Sequence, residues 1–401
     1  MRDTDRVSAR NDAPVDVAYA AAWTSQACAR GAVAAIDLDA LRANIATVRE
    51  RIGGVEVMAV VKADAYGHGL EACARAALDG GATWLGVALL DEAIALRDAG
   101  VGGRILGWLA VPGSRWGDCL ERDIDVSVSA SWALEEVRAA ATATGRRARV
   151  HLKADTGLSR NGATPRDWPD LVAAARAAEV EGLVEVVGVW SHLACADTPV
   201  HPSVAAQVSV FEAALTVAAQ AGLRPTVRHL ANSAGALGVP SARFDLVRLG
   251  IAMYGLTPGD EIGTADALGL RPVMSLRARL ASVKQVPGGS GVSYGHDYVT
   301  GSDTTLGLVP VGYADGIPRA ACNGGPVLAA GALRAVAGRV CMDQVVIDLG
   351  DDDAAPGDEV VLFGGEGPSA DDWAATCGTI GYEIVTRIGP RVPRVHLGVT
   401  S

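Results

Sequence analysis

The chain has 401 residues, of which 49% are apolar and 20% charged, and its formal net charge is -11 at pH 7. This composition is typical of globular proteins, and the length suggests two or three domains, or one large barrel with a smaller partner. The excess of acidic residues argues against nucleic acid and anionic membranes as partners, because both select basic patches.

The first 30 residues combine arginines with an alanine-rich stretch. Asp3, Asp5, Asp12 and Asp16 interrupt the basic and apolar regions that a signal peptide needs. We therefore predict an N-terminal extension over residues 1–30, with export as the alternative. The seven cysteines are scattered without zinc spacing, which indicates a reducing compartment and no metal site. No stretch reaches the roughly 18 uncharged apolar residues of a membrane span, so a cytoplasmic protein is predicted.

From residue 31 to about 250, short apolar runs alternate with segments of helical periodicity. Eight of these runs are predicted to be strands: 58–62, 84–88, 104–108, 125–129, 148–153, 186–192, 226–233 and 245–250. Strands separated by crossover helices form parallel sheets, and eight such units fit a (β/α)8 barrel of the TIM type. A doubly wound open sheet is the alternative, although the glycine fingerprint expected after its first strand is missing.

Beyond residue 270 the pattern changes from alternating strands and helices to strands alone. Four valine-rich runs are separated by Gly, Pro and Asp, at 304–311, 326–330, 332–348 and 358–363. This indicates a mostly-β domain. The α/β barrel is therefore predicted over residues 31–268 and the C-terminal β domain over residues 269–401.

Polar side chains end five of the predicted barrel strands, and the active site of a parallel barrel lies at those ends. Lys62 ends the first run and Lys153 the fifth, and both are followed by Ala-Asp. The chain contains one further lysine, Lys284, which has no motif around it. His192 ends the sixth run, and Asn232 with Ser233 ends the seventh.

A lysine at the end of an apolar strand is costly to desolvate, and desolvation lowers the pKa of its amine and makes it a better nucleophile. The eighth run ends in Arg248, Gly250 and Ile251. Backbone N–H groups after the last strands of a barrel commonly bind phosphate. A nucleophilic lysine that faces a phosphate pocket suggests pyridoxal 5'-phosphate as the cofactor.

The segment AVVKADAYGHG (59–69) resembles the cofactor-lysine motif of the alanine racemase family, whose members are fold type III pyridoxal-phosphate enzymes. Further matching segments follow in consistent order, at 151–162, 188–197, 229–237, 245–256, 292–298, 310–319, 338–344 and 379–394. The resemblance implies an N-terminal barrel, a C-terminal β domain and a head-to-tail homodimer with shared active sites. It also implies that the opening strand, here 32–37, packs with the C-terminal domain.

The resemblance implies two catalytic bases on opposite faces of the substrate. Lys62 would hold the cofactor covalently and act as one base, and Tyr294 of the other subunit would be the second. Arg248 would contact the pyridine nitrogen, to which a guanidinium does not readily give a proton. His192 would link Arg248 toward the catalytic tyrosine.

The resemblance also implies the remaining binding residues. The cofactor-binding set around the phosphate would be Tyr66, Asn232, Ser233, Gly250, Ile251 and Tyr382. The substrate carboxylate would be bound by Arg160 and by the backbone N–H of Met342 from the other subunit, whereas Tyr313 and Asp343 would line the entry. Lys153 matches a lysine that is often carbamylated in this family, and its modification to N6-carboxylysine is a hypothesis.

The activity implied is the interconversion of L-alanine and D-alanine, which supplies D-alanine for peptidoglycan. A serine or broad-specificity amino-acid racemase is the alternative within the family. A barrel-type amino-acid decarboxylase would require an acidic partner at the pyridine nitrogen, where this chain has Arg248. A non-catalytic cofactor-binding relative would lack the β domain and Tyr294.

Overall fold

The computed structural model describes residues 31–398, so the predicted N-terminal extension and the last three residues lie outside the described part. Its strands are β1 Ala32–Asp37, β2 Glu56–Val60, β3 Trp84–Leu89, β4 Arg104–Leu109, β5 Asp125–Val128, β6 Ala148–Lys153, β7 Val184–Trp190, β8 Val227–His229, β9 Leu246–Leu249, β10 Met274–Arg279, β11 Ser282–Val286, β12 Gly291–Val292, β13 Tyr298–Val299, β14 Thr304–Val309, β15 Pro326–Ala329, β16 Ala332–Ala335, β17 Val345–Gly350, β18 Glu359–Phe363 and β19 Arg394–Leu397. Its helices are α1 Leu38–Ile52, α2 Leu70–Asp79, α3 Leu90–Asp98, α4 Trp116–Glu121, α5 Ser131–Thr144, α6 Trp168–Val180, α7 Pro202–Gln220, α8 Ser233–Gly238, α9 Ala370–Cys377 and α10 Gly381–Thr386.

Strands β2 to β9 form one parallel sheet in the order β8-β7-β6-β5-β4-β3-β2-β9. The two outer strands meet and close it, because the Asp245 N–H donates to the Arg228 carbonyl at 3.1 Å and the Arg248 N–H donates to the Ala231 carbonyl at 3.0 Å. Helices connect successive strands. The predicted (β/α)8 barrel is therefore confirmed, and the doubly wound open sheet is excluded.

The barrel strands read as continuous apolar runs because parallel strands are buried on both faces. One face packs against the surrounding helices in the main core, and the other fills the barrel interior. A separate interior cluster consists of Met58, Trp84, Leu106, Val187, Val227 and Leu246. These apolar side chains pack part of the barrel interior.

Three predicted strands end two or more residues earlier than expected, and β7 is one of them, since it ends at Trp190. β2 ends at Val60 because the backbone turns at Val61 (φ -107°, ψ 18°), so Lys62 lies beyond the strand. β8 ends at His229, and Ser233 begins α8 with Asn232 as its N-cap. Polar residues that follow an apolar run extend the apparent strand in the sequence, although they already belong to the turn that leaves the barrel.

The C-terminal part is mostly β, as predicted. Its largest sheet has the order β16-β15-β18-β10-β1-β19, and smaller sheets comprise β11-β14-β17 and β12-β13. Strand β1 is antiparallel to β10 and parallel to β19, so the first and last described strands are neighbours in the C-terminal sheet. The run predicted at 332–348 is divided into β16 and β17 by a loop that contains Met342 and Asp343.

One helix among residues 31–398, Pro202–Gln220, has the length and apolar composition that a membrane span requires. The core helix of a globular protein meets the same criterion. Here the helix connects β7 and β8, and its Phe211 is fully buried. The ring centres of Phe211 and Phe244 lie 5.0 Å apart in a T-shaped arrangement. Its apolar character is therefore explained by packing against the barrel.

Candidate active site

A cavity of about 340 Å³ lies at the carboxyl ends of the barrel strands, where the active sites of such barrels are found. Of the fifteen predicted site residues, eleven line it: Lys62, Tyr66, Lys153, Arg160, His192, Asn232, Ser233, Arg248, Gly250, Ile251 and Tyr382. Ten come from the barrel and one, Tyr382, comes from α10 of the C-terminal part. The two parts of the chain therefore enclose the cavity together.

Lys62 lies in a tight turn directly after β2. The next four residues, Ala63 to Tyr66, have positive φ angles between 53° and 55°, so the chain makes one turn of left-handed helix. This conformation costs roughly 1–2 kcal/mol per non-glycine residue, because Cβ approaches the following carbonyl oxygen. A turn of this kind persists only where the surroundings hold it in place.

The Lys62 turn is held from both parts of the chain. The Glu92 carboxylate at the start of α3 accepts hydrogen bonds from the N–H groups of Ala63 at 2.6 Å and Leu89 at 3.0 Å. On the other side, Arg394 of β19 donates to the Gly67 carbonyl at 3.0 Å. The position of Lys62 is consequently fixed by contacts that lie outside the cavity.

The electrostatic surroundings of Lys62 favour a neutral amine. Burial lowers the pKa of its amino group, and the positive charge of Arg160 lowers it further. The carboxylate of Glu92 acts in the opposite direction, and the charge of Arg248 again lowers the pKa. A neutral amine can act as a nucleophile or accept a proton, whereas an ammonium group can do neither.

A close backbone approach shapes one end of the cavity. The Gly250 N–H donates to Ser233 Oγ at 2.9 Å, and Asn232 caps the short helix that Ser233 begins. A Cβ atom at position 250 would lie 2.4 Å from Tyr66 Oη, so any residue larger than glycine would collide with this hydroxyl group. The result is a cradle formed by hydroxyl groups and backbone around Gly250.

Two buried phenols border this cradle. The rings of Tyr66 and Tyr382 lie 6.2 Å apart, and Tyr66 also packs on Tyr254 at 4.8 Å. Burial raises the pKa of the Tyr66 and Tyr382 hydroxyls, so both stay protonated and can donate hydrogen bonds. Neutral donors beside a backbone cradle are suited to bind an anion such as phosphate.

Arg248 is fully enclosed, and nearly all its donors are used. Nη1 donates to the Nδ1 atom and the carbonyl of His229, both at 3.1 Å. Nη2 contacts the carbonyls of Ser191 at 2.8 Å and Leu230 at 3.0 Å, and His192 Nδ1 at 3.1 Å. The remaining donor, Nε–H, has no acceptor within residues 31–398. Burial lowers the pKa of Arg248 to about 9, so the guanidinium is charged at neutral pH.

Trp190 is a site residue that the sequence analysis missed. Its ring is parallel to that of His229 at 5.5 Å, and it lies 4.3 Å from Lys153 Nζ and 4.9 Å from Arg248 Cζ. Such contacts stabilise cations over the face of an indole ring. A tryptophan at the end of an apolar strand is ordinarily a core residue, and its position directly before Ser191 was the available signal.

The cavity is strongly cationic, since it contains Lys62, Lys153, Arg160 and Arg248 and no carboxylate lines it among the described residues. Burial lowers the pKa of Lys153 to about 7, and the charges of Arg248 and Arg160 contribute, against the opposing effect of Asp155. Burial, followed by the charge of Arg248, also keeps the pKa of His192 well below its usual value. The site is therefore suited to anionic ligands.

The other four predicted residues do not line this cavity: Tyr294, Tyr313, Met342 and Asp343. Tyr294 lies between β12 and β13 with 68% of its surface exposed, and Met342 is 53% exposed. Asp343 forms an ion pair with Arg391 at 2.5 Å. All four lie on the C-terminal β domain.

The fold and the cavity define a two-domain barrel enzyme with a half-buried lysine in its cavity. The family model of the alanine racemase N-terminal domain matches residues 36–258, and that of the C-terminal domain matches residues 273–396. The alanine racemase of Streptomyces coelicolor is 61% identical over 373 residues, covering 91% of this chain and 95% of that protein. That of Frankia casuarinae is 59% identical over 368 residues, covering 91% and 96%.

Solved structures indicate the same family as the sequence comparisons. The alanine racemase structure from Streptomyces coelicolor A3(2) superposes with a TM-score of 0.92 at 59% identity, covering 94% of this chain and all of that one. The Bacillus anthracis alanine racemase with bound L-Ala-P gives a TM-score of 0.82 at 37% identity, covering 92% and 95%. The chain therefore belongs to the alanine racemase family and is an isomerase.

Proposed function

We propose that this protein interconverts L-alanine and D-alanine with pyridoxal 5'-phosphate, in the cytoplasm, as a supply of D-alanine for peptidoglycan. The observation that carries the proposal is the convergence of Lys62, Arg248 and the Gly250 cradle in one cationic cavity. Membership of the alanine racemase family supports the same activity. Arg248, in place of a carboxylate, speaks against a barrel-type decarboxylase.

The residues present fit this cofactor at its aldehyde group, its phosphate and its pyridine nitrogen. Lys62 would hold it covalently, because its amine is buried and its pKa is lowered. The phosphate would be bound by the cradle and the phenols, namely Tyr66, Ser233, Gly250, Ile251 and Tyr382. The free Nε–H of Arg248 would face the pyridine nitrogen. When bound, the cofactor withdraws electrons from the substrate Cα and makes its proton acidic.

The residues of the chain itself supply orientation and proton transfer. The guanidinium of Arg160 would bind the substrate carboxylate, which the cationic cavity attracts. The amine of Lys62 would take or return the proton on one face of Cα. Racemisation requires a second group on the opposite face, and the exposed phenol of Tyr294 is the candidate.

Tyr294 can serve this role only from a second subunit, because it does not line the cavity of its own chain. Met342 and Tyr313 are likewise exposed on the β domain, although large apolar side chains are usually buried. We infer a homodimer in which the β domain of one subunit covers the barrel mouth of the other. Tyr294, Tyr313, Met342 and Asp343 would then complete the partner's site.

The direct test is a racemisation assay with the purified protein and added pyridoxal 5'-phosphate. D-alanine should accumulate from L-alanine until the two enantiomers are equal, and L-serine and L-lysine should react far more slowly. Comparable rates with serine or lysine would indicate a broad-specificity racemase. Release of carbon dioxide without inversion would contradict the proposed reaction.

Replacing Gly250 by alanine should weaken cofactor binding by about 10- to 100-fold, as disruption of closely fitted binding contacts commonly does. The new Cβ would lie 2.4 Å from Tyr66 Oη and would displace a phosphate donor. Titration of the apoprotein with pyridoxal 5'-phosphate, followed by absorbance, measures the effect. Gly301→Ala is the matched control, since nothing lies within 4 Å of a Cβ atom there. Equal affinities of Gly250→Ala and the unmodified protein for the cofactor would contradict the proposed phosphate cradle.

Lys153 is expected to form a carbamate with dissolved carbon dioxide. Carbamylation needs a neutral amine, and Lys153, with a pKa of about 7, is mostly neutral above that pH. The carbamate would place an anion between Arg160 and Arg248. In ¹³C-bicarbonate, a carbamate resonance should be present at pH 8 and should decline as the pH falls below about 7. The resonance should be absent in Lys153→Ala. If it persists in that variant, Lys153 is not the residue that forms the carbamate.

A further inference from the structure

A line of buried polar side chains runs through the barrel interior beneath Arg248. Arg248 Nη1 lies 3.1 Å from His229 Nδ1, and His229 Nε2 lies 3.0 Å from His151 Nδ1. His151 Nε2 in turn lies 3.3 Å from Asp125 Oδ2. Asp125 begins β5, so the line extends from the lower end of the barrel to the cavity, and both histidines are fully buried.

Both histidines in this line are neutral. Burial lowers the pKa of His229, and the charge of Arg248 lowers it further. Burial also lowers the pKa of His151, although the hydrogen bond to Asp125 opposes it. A neutral imidazole carries one N–H donor and one acceptor nitrogen. Each ring can therefore donate in only one direction along the line.

The two ends of the line decide that direction. Arg248 has donors only, so His229 Nδ1 must accept and His229 Nε2 must carry the proton. His229 Nε2–H then donates to His151 Nδ1, which leaves the His151 proton on Nε2, facing Asp125. A carboxylate accepts only, so every contact is satisfied by this one arrangement. The opposite tautomer in either ring would bring two donors together.

Asp125 is held as an anion at the lower end. Its carboxylate accepts from Arg149 Nε at 2.6 Å and also forms an ion pair with Arg104. Burial alone would raise the pKa of Asp125, but the hydrogen bond from His151 and the charges of Arg149 and Arg104 outweigh burial and lower it. The barrel also leaves room for the His151 ring, because a Cβ atom at Gly188 would lie 2.2 Å from His151 Nδ1.

We propose that Asp125 and His151 are positioning residues for Arg248. By fixing His229 as an acceptor, they hold one amino group of the guanidinium, while His192 and two carbonyls hold the other. The orientation leaves Nε–H as the donor available to the cavity. The inference rests on the proposed function in one respect, the assignment of Arg248 to the cofactor ring.

The first test reads the tautomers directly in the unmodified protein, with ¹⁵N-labelled histidine and NMR. His151 and His229 should both carry their proton on Nε2 at neutral pH. His68 is an internal control, because its proton should lie on the other ring nitrogen. Its Nδ1 faces the carbonyl acceptors of Ala65 at 2.9 Å and Tyr66 at 3.0 Å and should therefore carry the proton. A proton on Nδ1 of His151 or His229, or a charged ring, would overturn the proposal.

The second test uses variants that lie far from the cavity. In Asp125→Asn, the amide can donate to His151 and reverse the line, so kcat for alanine should fall by about 10- to 100-fold, with KM nearly unchanged. Gly188→Ala should have the same effect by displacing His151, without removing an ionisable group. Asp245→Asn, which breaks an exposed pair with Arg228, is the matched control and should keep the wild-type kcat.

Folded Asp125→Asn and Gly188→Ala proteins with the wild-type kcat would refute the proposal. If neither variant folds, the tautomers of the unmodified protein decide it. If the unmodified protein does not racemise alanine, the proposed function fails. The NMR experiment would then still test the predicted tautomers of His151 and His229, since it requires no turnover.

Discussion

Alanine in place of Lys62 is expected to abolish racemisation, with a loss of at least about 10⁴-fold, because in the proposed mechanism one side chain would both bind the cofactor and move the proton. Its amine is buried in the cavity, and burial with the charge of Arg160 lowers its pKa. Lys153 also lines the cavity, where its amine lies 4.3 Å from the centre of the Trp190 ring. Of these two lysines, only Lys62 directly precedes the left-handed turn that also supplies Tyr66.

The measurement has two parts. Reduction with borohydride should fix the cofactor to the peptide that contains Lys62, and turnover of alanine should disappear in Lys62→Ala. Lys284→Ala is the matched control, since Lys284 is an exposed lysine of β11 outside the cavity. Labelling of Lys153 in place of Lys62 would reverse the assignment of the two lysines.

Phenylalanine in place of Tyr294 should reduce racemisation by about 10²- to 10⁴-fold while the cofactor stays bound. The hydroxyl would move a proton in the partner's site, since Tyr294 does not line the cavity of its own chain. Tyr298→Phe is the matched control in the same hairpin, since it removes a phenol that donates to Asp348 at 2.6 Å. An active Tyr294→Phe enzyme would remove this residue from the mechanism.

Mixed dimers distinguish a shared site from a site within one chain. In a heterodimer of Lys62→Ala and Tyr294→Phe subunits, a shared arrangement leaves one site with both wild-type residues and the other with neither. Random reassociation should then restore about one quarter of the wild-type activity from two inactive parents. A site within one chain would restore none. Sedimentation of the same samples measures the dimer itself.

The barrel strands could be predicted because strands buried on both faces leave a continuous apolar run in the sequence. The Lys62 turn could not be predicted as left-handed, because Ala63 to Tyr66 include no glycine and the conformation depends on Glu92 and Arg394. Such contacts are made between residues distant in sequence, and no local pattern records them.

The residues of the candidate site also differ in whether the sequence alone could predict them. Residues at strand ends, such as Arg248, could be located because the ends of parallel strands converge. The partners of Arg248 inside the barrel, His229 and Trp190, depend on which side chains point inward, and continuous apolar runs do not reveal this. Tyr294 is proposed only by resemblance, since an exposed tyrosine in a short hairpin has no chemical signature of its own.

The place of β1 in the C-terminal sheet has a consequence for how the chain folds. During synthesis, Ala32–Asp37 emerges before all the barrel strands, but its neighbours β10 and β19 begin only at Met274 and Arg394. The strand must keep an unpaired edge while the whole barrel is made, and its sheet is completed by contacts of very long sequence separation, which form slowly. The β domain is therefore expected to close last, and a ribosome-bound chain that ends before residue 274 should remain sensitive to protease at its first strand.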